Sequence, residues 1–250
     1  MADMVVLDLA LFVGATFAAA LVAGMAGFAF GLVAAAVWLH VLTPLQTTTL
    51  IVAFGLIVQG YSVWKLRRAV KFRRLLPFLV GGAIGLPAGV ELLRLAPAEA
   101  LRIAIGVFLI LFSLYSLARP QFRAISAGGR LADGGVGLLS GVLGGATGFG
   151  GILPTIWSNI RGWPKDEQRA VFQPTGVAIF LGTALCLGGT GTITPETIRL
   201  FLIGLPALLL GSWLGLKLYG RLDEAGFRRV VLALLLLSGL ALIAPLAIAR

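Results

Sequence analysis

The chain is poor in charge, in acids, in cysteine and in histidine. Charged residues make up 12% of its 250 residues, and only ten are acidic. Soluble domains carry about 25%, so a water-soluble globule is excluded. A single cysteine, Cys186, lies in an apolar run. It excludes an intrachain disulfide and a cysteine metal cluster. A single histidine, His40, leaves no histidine cluster, and no acid pair or base-activated nucleophile is evident at depth, which argues against a membrane enzyme. The glycine-Lys-Ser/Thr signature of a nucleotide-binding loop is missing, which argues against an ATPase. The expectation is no cofactor and no metal. Asp3 and Asp8 open the chain without an early Lys or Arg, unlike a cleaved signal peptide with its positive start.

Apolar sequence fills the space. Hydrophobic residues are 59% of the chain and mean hydropathy is +1.01. Residues 170–191, 200–216 and 230–249 hold no charge; 75–93 holds only Glu91 and 101–118 only Arg102. Runs of about 17–25 apolar residues cross the hydrocarbon layer as helices. No alternating polar pattern suggests a barrel. The fold class is therefore an all-α polytopic membrane protein, with eight to ten membrane segments and the lipid bilayer as its partner. The net charge of +10 does not imply nucleic acid, because the basic residues cluster in short loops between spans, as a topology signal does.

The two halves align. Gly27-Phe28 matches Gly148-Phe149, Gln46 falls near Gln168, and Gly85 and Gly89 match Gly211 and Gly215. Each half reads as a glycine-broken hairpin followed by three spans: 46–64, 75–93 and 99–117, then 169–187, 198–217 and 229–248. Repeat 1 covers 1–118, repeat 2 covers 132–250, and 119–131 connects them in a cytoplasmic loop.

Charge orients the halves. Lys65, Arg67, Arg68, Lys71, Arg73 and Arg74 form the strongest basic loop, which belongs in the cytoplasm. Its counterpart, 188–195, carries no charge at all. The loop 40–45 has no Lys or Arg, whereas its counterpart 161–169 has Arg161, Lys165 and Arg169. With Arg119, Arg123, Arg130 and the group Lys217, Arg221, Arg228 and Arg229, these segments hold every basic residue except Arg94, Arg102, Arg199 and Arg250. Loops that exchange basic for neutral between halves point to inverted repeats, with both termini outside. A parallel repeat would place several basic loops outside.

The most telling stretch is Gly144-Gly145-Ala146-Thr147-Gly148-Phe149-Gly150-Gly151-Ile152-Leu153-Pro154, with a weaker copy at Gly24-Met25-Ala26-Gly27-Phe28-Ala29-Phe30-Gly31. Glycines interrupt a helix, and broken helices at matching places mark transporter binding sites. This pair, with the two-half layout and the basic 65–74 loop, resembles the sulfite exporter TauE/SafE family, also called the 4-toluene sulfonate uptake permease family. The first copy departs from the pattern, with Ala29 and Phe30 where glycines are common. The resemblance covers nearly the whole chain. It implies transport of sulfur-containing anions such as sulfite, sulfonates or sulfoacetate.

The residues themselves also favour an anion. A helix that starts at a break points free N–H groups and partial positive charge at what precedes it, and glycine admits an anion close to that backbone. No Lys, Arg or acid is expected inside either hairpin. The candidate substrate-binding residues are Gly27, Phe28 and Gly31 in the first copy and Thr147, Gly148, Phe149, Gly150 and Gly151 in the second. Thr155 and Trp157 follow the second break. Thr48, Gln173 and Thr175 lie near the start of the next span in each half, and Pro174 frees a carbonyl there. The competing reading of the break glycines is tight helix packing, which is also the reading of Gly81, Gly85, Gly89, Gly211 and Gly215. Gln59 reads equally as interhelical glue. Trp38, Trp64, Trp163 and Trp213 read as interfacial belt residues.

The expected function is a secondary transporter of a small sulfur-containing anion, one repeat rocking against the other. The alternatives are a channel for anions or small solutes, or a carrier of a non-sulfur organic anion. Proton coupling and the choice between monomer and homodimer are left open.

Overall fold

A computed structural model describes residues 6–26, 29–66, 72–118, 128–218 and 224–248. Gly27, Phe28 and residues 67–71 of the basic 65–74 loop lie outside the described residues. All elements are helices: α1 (Val6–Ala26), α2 (Phe30–Val41), α3 (Pro44–Leu66), α4 (Phe72–Leu95), α5 (Ala98–Ala118), α6 (Gly129–Thr147), α7 (Ile152–Ile160), α8 (Lys165–Gly189), α9 (Pro195–Leu218) and α10 (Glu224–Ile248). Each of the six stretches expected as spans is helical, reaching up to five residues beyond the expected bounds, and four of them, in α4, α5, α8 and α9, are among the helices long and apolar enough to cross a membrane. Among the described residues, five helices are long and apolar enough to cross a membrane. The chain is an all-α polytopic membrane protein.

The hairpins have unequal arms. At about 1.5 Å per residue, α1 and α6 are about 30 Å long, whereas α2 and α7 are about 18 and 14 Å. Of these, α1 is long and apolar enough to cross a hydrocarbon layer of about 30 Å, whereas α2 and α7 are too short.

Starts of the next spans are fixed by side chains. At α3, the Thr43 N–H donates to Gln46 Oε1 (3.1 Å), and the Gln46 N–H donates to Thr43 Oγ1 (3.2 Å). With Pro44 as the first helical residue, this is a capping box. At α8, Gln168 Nε2 donates to the carbonyl of Trp163 (2.7 Å) in the preceding turn. The two glutamines that align between halves thus do similar work.

The chain divides into two compact units. The first comprises residues 1–47, 96–120 and 196–250, and so holds the α1–α2 hairpin, α5, α9 and α10. Here α9 lies along α1 with no space for a side chain. A methyl at Gly211 would come 2.4 Å from the Phe17 carbonyl oxygen, and one at Gly215 2.3 Å from that of Leu21. α5 and α10 cross at Gly106 and Gly239, where a methyl on either would meet the other's carbonyl at 3.0 or 2.8 Å. Trp38 is fully buried, lies against Phe12 with the rings tilted and their centroids 5.1 Å apart, and donates Nε1–H to the Phe12 carbonyl (3.3 Å). The belt reading of Trp38 is corrected: it ties α2 to α1. Trp64 and Trp213 are exposed.

The second unit comprises 48–95 and 121–195, with most of α3, and α4, α6, α7 and α8. Its seam is α4 on α6. Methyls at Gly81, Gly85 and Gly89 would lie 2.0, 2.1 and 2.2 Å from the carbonyl oxygens of Gly134, Leu138 and Val142. From the other side, methyls at Gly137 and Gly141 would lie 2.5 and 2.2 Å from those of Phe78 and Gly82. The glycine ridges are therefore packing surfaces, as small-residue seams are. In each unit the long arm of one half's hairpin packs on the second span of the other half.

Ala29, just before α2, has φ 75° and ψ 3°, and is the non-glycine residue in the left-handed region among those described. A Cβ there costs about 1–2 kcal/mol. Ala29→Gly should stabilise the protein by up to about 1 kcal/mol, since glycine's greater freedom in the unfolded chain offsets part of the gain. An unchanged or lower melting temperature would contradict the assignment.

Candidate functional site

The second unit contains the strong glycine break. α6 ends at Thr147, Gly148 turns the chain at φ 77°, and α7 begins after Gly151. The turn is tightly held. The Gly148 N–H donates to the Gly144 carbonyl (2.8 Å), and the Ile152 N–H to that of Phe149 (3.1 Å). Thr48 of α3, fully buried, donates Oγ1–H to the Ala146 carbonyl (3.2 Å). That satisfies one of the acceptors left open where a helix ends. Ser140 of α6 donates its hydroxyl to the Gly150 carbonyl.

The four break residues face different surroundings. Gly148, Phe149 and Gly150 are buried, and Gly151 is half-buried. A methyl at Gly148 would strike Ile51 of α3 at 2.6 Å, and one at Gly150 would strike Ile179 of α8 at 2.7 Å. Gly144 is closed by Ile179 and by Gly150 itself, at 2.4 and 2.7 Å. These three glycines are closely packed. At Gly151 a methyl would find only ordinary contacts, 3.6 Å to the Phe172 carbonyl oxygen and 3.9 Å to the Gly176 Cα. Gly151 is therefore the face of the break with room beside it. It opens α7, where the Ile152 and Thr155 N–H groups donate to the Phe149 and Gly151 carbonyls (3.1 and 3.2 Å) and Pro154 contributes none; the N–H groups of Gly151 and Leu153 have no acceptor within the helix.

α8 and α3 complete the surroundings of Gly151. Gln173 is 3% exposed and Thr175 fully buried. Gly176 faces the break, and a methyl on it would lie 2.8 Å from Gln59 Oε1 of α3. Sequence reasoning left Gln59 between two roles. Its carboxamide reaches the α8 glycine that packs on Gly151, which only a helix crossing could reveal. Thr147, Thr155 and Thr175 donate their hydroxyls to carbonyls four residues back, those of Leu143, Gly151 and Val171, at 2.6, 2.7 and 2.8 Å. Each then offers lone pairs rather than a hydrogen to its surroundings. Thr147 Oγ1 also accepts the Phe149 N–H (3.3 Å). Gly31 lies in the first turn of α2, in the other unit.

One expectation needs correction. Both hairpins contain charged residues: Asp8 lies in α1 and Arg130 in α6, and Asp133, also in α6, is 6% exposed. Its Oδ1 accepts the Trp157 Nε1–H at 2.8 Å and so ties α7 to α6. The offset that takes Gly27 to Gly148 also takes Phe12 to Asp133, and hairpin 1 has the matching tie from Trp38 to Phe12. The acid was overlooked because the first arm of the hairpin is longer than the glycine run suggested. Around this tie, the Arg161 guanidinium lies 5.6 Å from the Trp157 ring and 5.9 Å from Trp163, and Arg74 lies 4.6 Å from Trp163 while ion-paired to Glu167. Trp163 is thus not simply a belt residue.

Trp157→Phe should cost about 1–3 kcal/mol, because it keeps the ring but leaves the Asp133 carboxylate buried without its donor. The double variant with Asp133→Leu should recover much of that loss, as removal of both partners does. Additive losses in a double-mutant cycle would contradict the tie.

A family model described as Sulfite exporter TauE/SafE matches residues 12–242. No curated protein and no solved structure matches the chain.

Proposed function

Since the chain belongs to the sulfite exporter TauE/SafE family, we propose that this multi-pass membrane protein is a secondary transporter of small sulfur-containing anions of the sulfite, sulfonate or sulfoacetate type. The observation that carries the site reading is the half-buried Gly151 at the start of α7, against Phe172 and Gly176 of α8, with Gln59 Oε1 reaching Gly176. Backbone amides and the helix end would hold the anion, helped by carboxamides rather than by a guanidinium. Such a site can bind and still release, as a carrier must. Gly148, Phe149, Gly150, Thr48 and Thr147 shape the turn; Thr155, Trp157 and Thr175 position α7 and α8. In the first half, Gly27, Phe28 and Gly31 would play the lesser part, with Ala29 and Phe30 denying the backbone its open glycines.

The seams bear on what moves. α4 and α6 belong to different repeats, 1–118 and 132–250, yet have no space to separate without losing their contact. Alternating access of the inverted repeats would then carry each hairpin together with the second span of the other repeat. The setting is the cytoplasmic membrane, with both termini outside and the basic 65–74 loop inside.

Counterflow tests the reading. Liposomes preloaded with a sulfonate or sulfite should take up the labelled anion faster than empty ones. Sustained conductance without counterflow would identify a channel, and exchange of carboxylates alone would identify a carrier of non-sulfur anions.

A further inference from the structure

Among the described residues of the first unit, Arg102 has no ion-pair partner. Arg102 is the single charge between Leu101 and Ala118 in α5. Its Nη2 donates to the Leu42 carbonyl at 3.2 Å, while its Nε is buried and makes no hydrogen bond. The ion pairs formed among the described residues in the other unit, Arg74 with Glu167 and Arg94 with Glu91, do not involve it. Glu99, one turn earlier on α5, is exposed and makes no ion pair with it. α10 offers apolar groups, Leu242 and Ile243, where it crosses α5 at Gly106.

Neither Ser238 nor Gln46 supplies the missing acceptor. His40 of α2 is within electrostatic reach of Arg102, and its Nε2 lies 3.3 Å from Ser238 Oγ. Ser238 has one hydroxyl hydrogen, and it goes to the Ala36 carbonyl. Ser238 therefore accepts, and His40 Nε2–H donates. At the same turn, Gln46 Oε1 is taken by both the N–H and the hydroxyl of Thr43, which leaves the Gln46 NH2 as a donor. The turn from Leu42 to Gln46 thus gathers donors and one full positive charge. An uncompensated guanidinium in an apolar span is costly, and its planar fork matches an oxyanion bidentately.

We propose that Arg102, with the turn that carries Leu42 and Gln46, is a binding site for a tetrahedral oxyanion, made of other residues than the glycine break. The shared chemistry is a phosphate- or sulfate-like group. It could be carried by a phospholipid or be free in solution.

The test uses the full chain in nanodiscs of phosphatidylcholine alone, of phosphatidylcholine with phosphatidylglycerol, and of phosphatidylcholine with added inorganic sulfate or phosphate. Amide hydrogen exchange over residues 38–47 is the local readout. At about four times the dissociation constant, a ligand bound only to the closed form slows exchange about fivefold. Protection in the phosphatidylglycerol discs alone identifies a lipid headgroup, and protection by the inorganic anion identifies a soluble oxyanion. Arg102→Gln should lose the protection in either case. Should that variant not fold, Arg102→Lys, which keeps the charge without Nε and the fork, should show it weakened. No protection in any arm, or equal protection in the variants, overturns the site whatever the transport assays give.

Discussion

Gly85→Ala should be among the most destabilising single substitutions in this protein, by about 3 kcal/mol or more. The new methyl would lie 2.1 Å from the Leu138 carbonyl oxygen, 2.9 Å from its carbon and 3.1 Å from the Val142 nitrogen. All three are backbone atoms, so no rotamer change relieves the overlap. A carbon reaches a carbonyl oxygen comfortably at about 3.3–3.6 Å; α4 and α6 would have to part by about an ångström. Because the seam repeats at Gly81 and Gly89, parting at one place loosens contacts along its length. Overpacking in a core that can adjust costs about 1–3 kcal/mol, and this seam has little means to adjust. For a chain of this size the melting temperature should fall by roughly 10 °C. Gly215→Ala should behave alike in the other unit, where the methyl would lie 2.3 Å from the Leu21 carbonyl oxygen. Gly135→Ala is the control on α6 itself, with nothing within 4 Å. It should be neutral or stabilising, as alanine is in a helix interior. Equal melting temperatures for Gly85→Ala and Gly135→Ala would remove the seam.

The same distinction explains what the sequence could and could not convey. Long uncharged runs read correctly as spans, because desolvation and length decide them locally. The ridges at Gly81, Gly85, Gly89, Gly211 and Gly215 also read correctly, since a four-residue spacing puts glycines on one helix face. The break at 148–151 was legible as a break but not in its facing. Whether a glycine there serves packing or an anion depends on Ile51 and Ile179, which stand far away in the sequence. Asp133 and Trp157 meet only because α7 folds back on α6, and the glycine run concealed how long α6 is. Thr43 and Gln46 carried the spacing of a capping box, and that signal was available in the chain itself. Trp38 carried no signal of burial, because an aromatic at the end of a short apolar helix suits an interface equally well.

Facing also sets the sharpest functional expectation. Gly151→Ala should leave the fold intact and reduce anion transport and binding at least tenfold. Gly151 has φ −85° and ψ −11°, which any residue adopts, and the methyl would make contacts of 3.6 and 3.9 Å. Stability should change by no more than about 0.5 kcal/mol, or about 2 °C in melting temperature. The loss in function comes from holding the anion off the amides at the start of α7. A hydrogen bond to a charged group is worth about 1.5–3 kcal/mol, and a factor of ten in affinity is about 1.4 kcal/mol; weakening one such bond suffices. Gly150→Ala should invert the pattern. Its methyl would meet Ile179 at 2.7, 3.0 and 3.1 Å, so transport should fall with stability, and a smaller residue at 179, as in Ile179→Val, should restore both in part. Normal transport by Gly151→Ala would place the anion elsewhere and leave the open face of Gly151 without a ligand. Transport lost by Gly151→Ala only in step with its melting temperature would make this glycine, too, a packing residue.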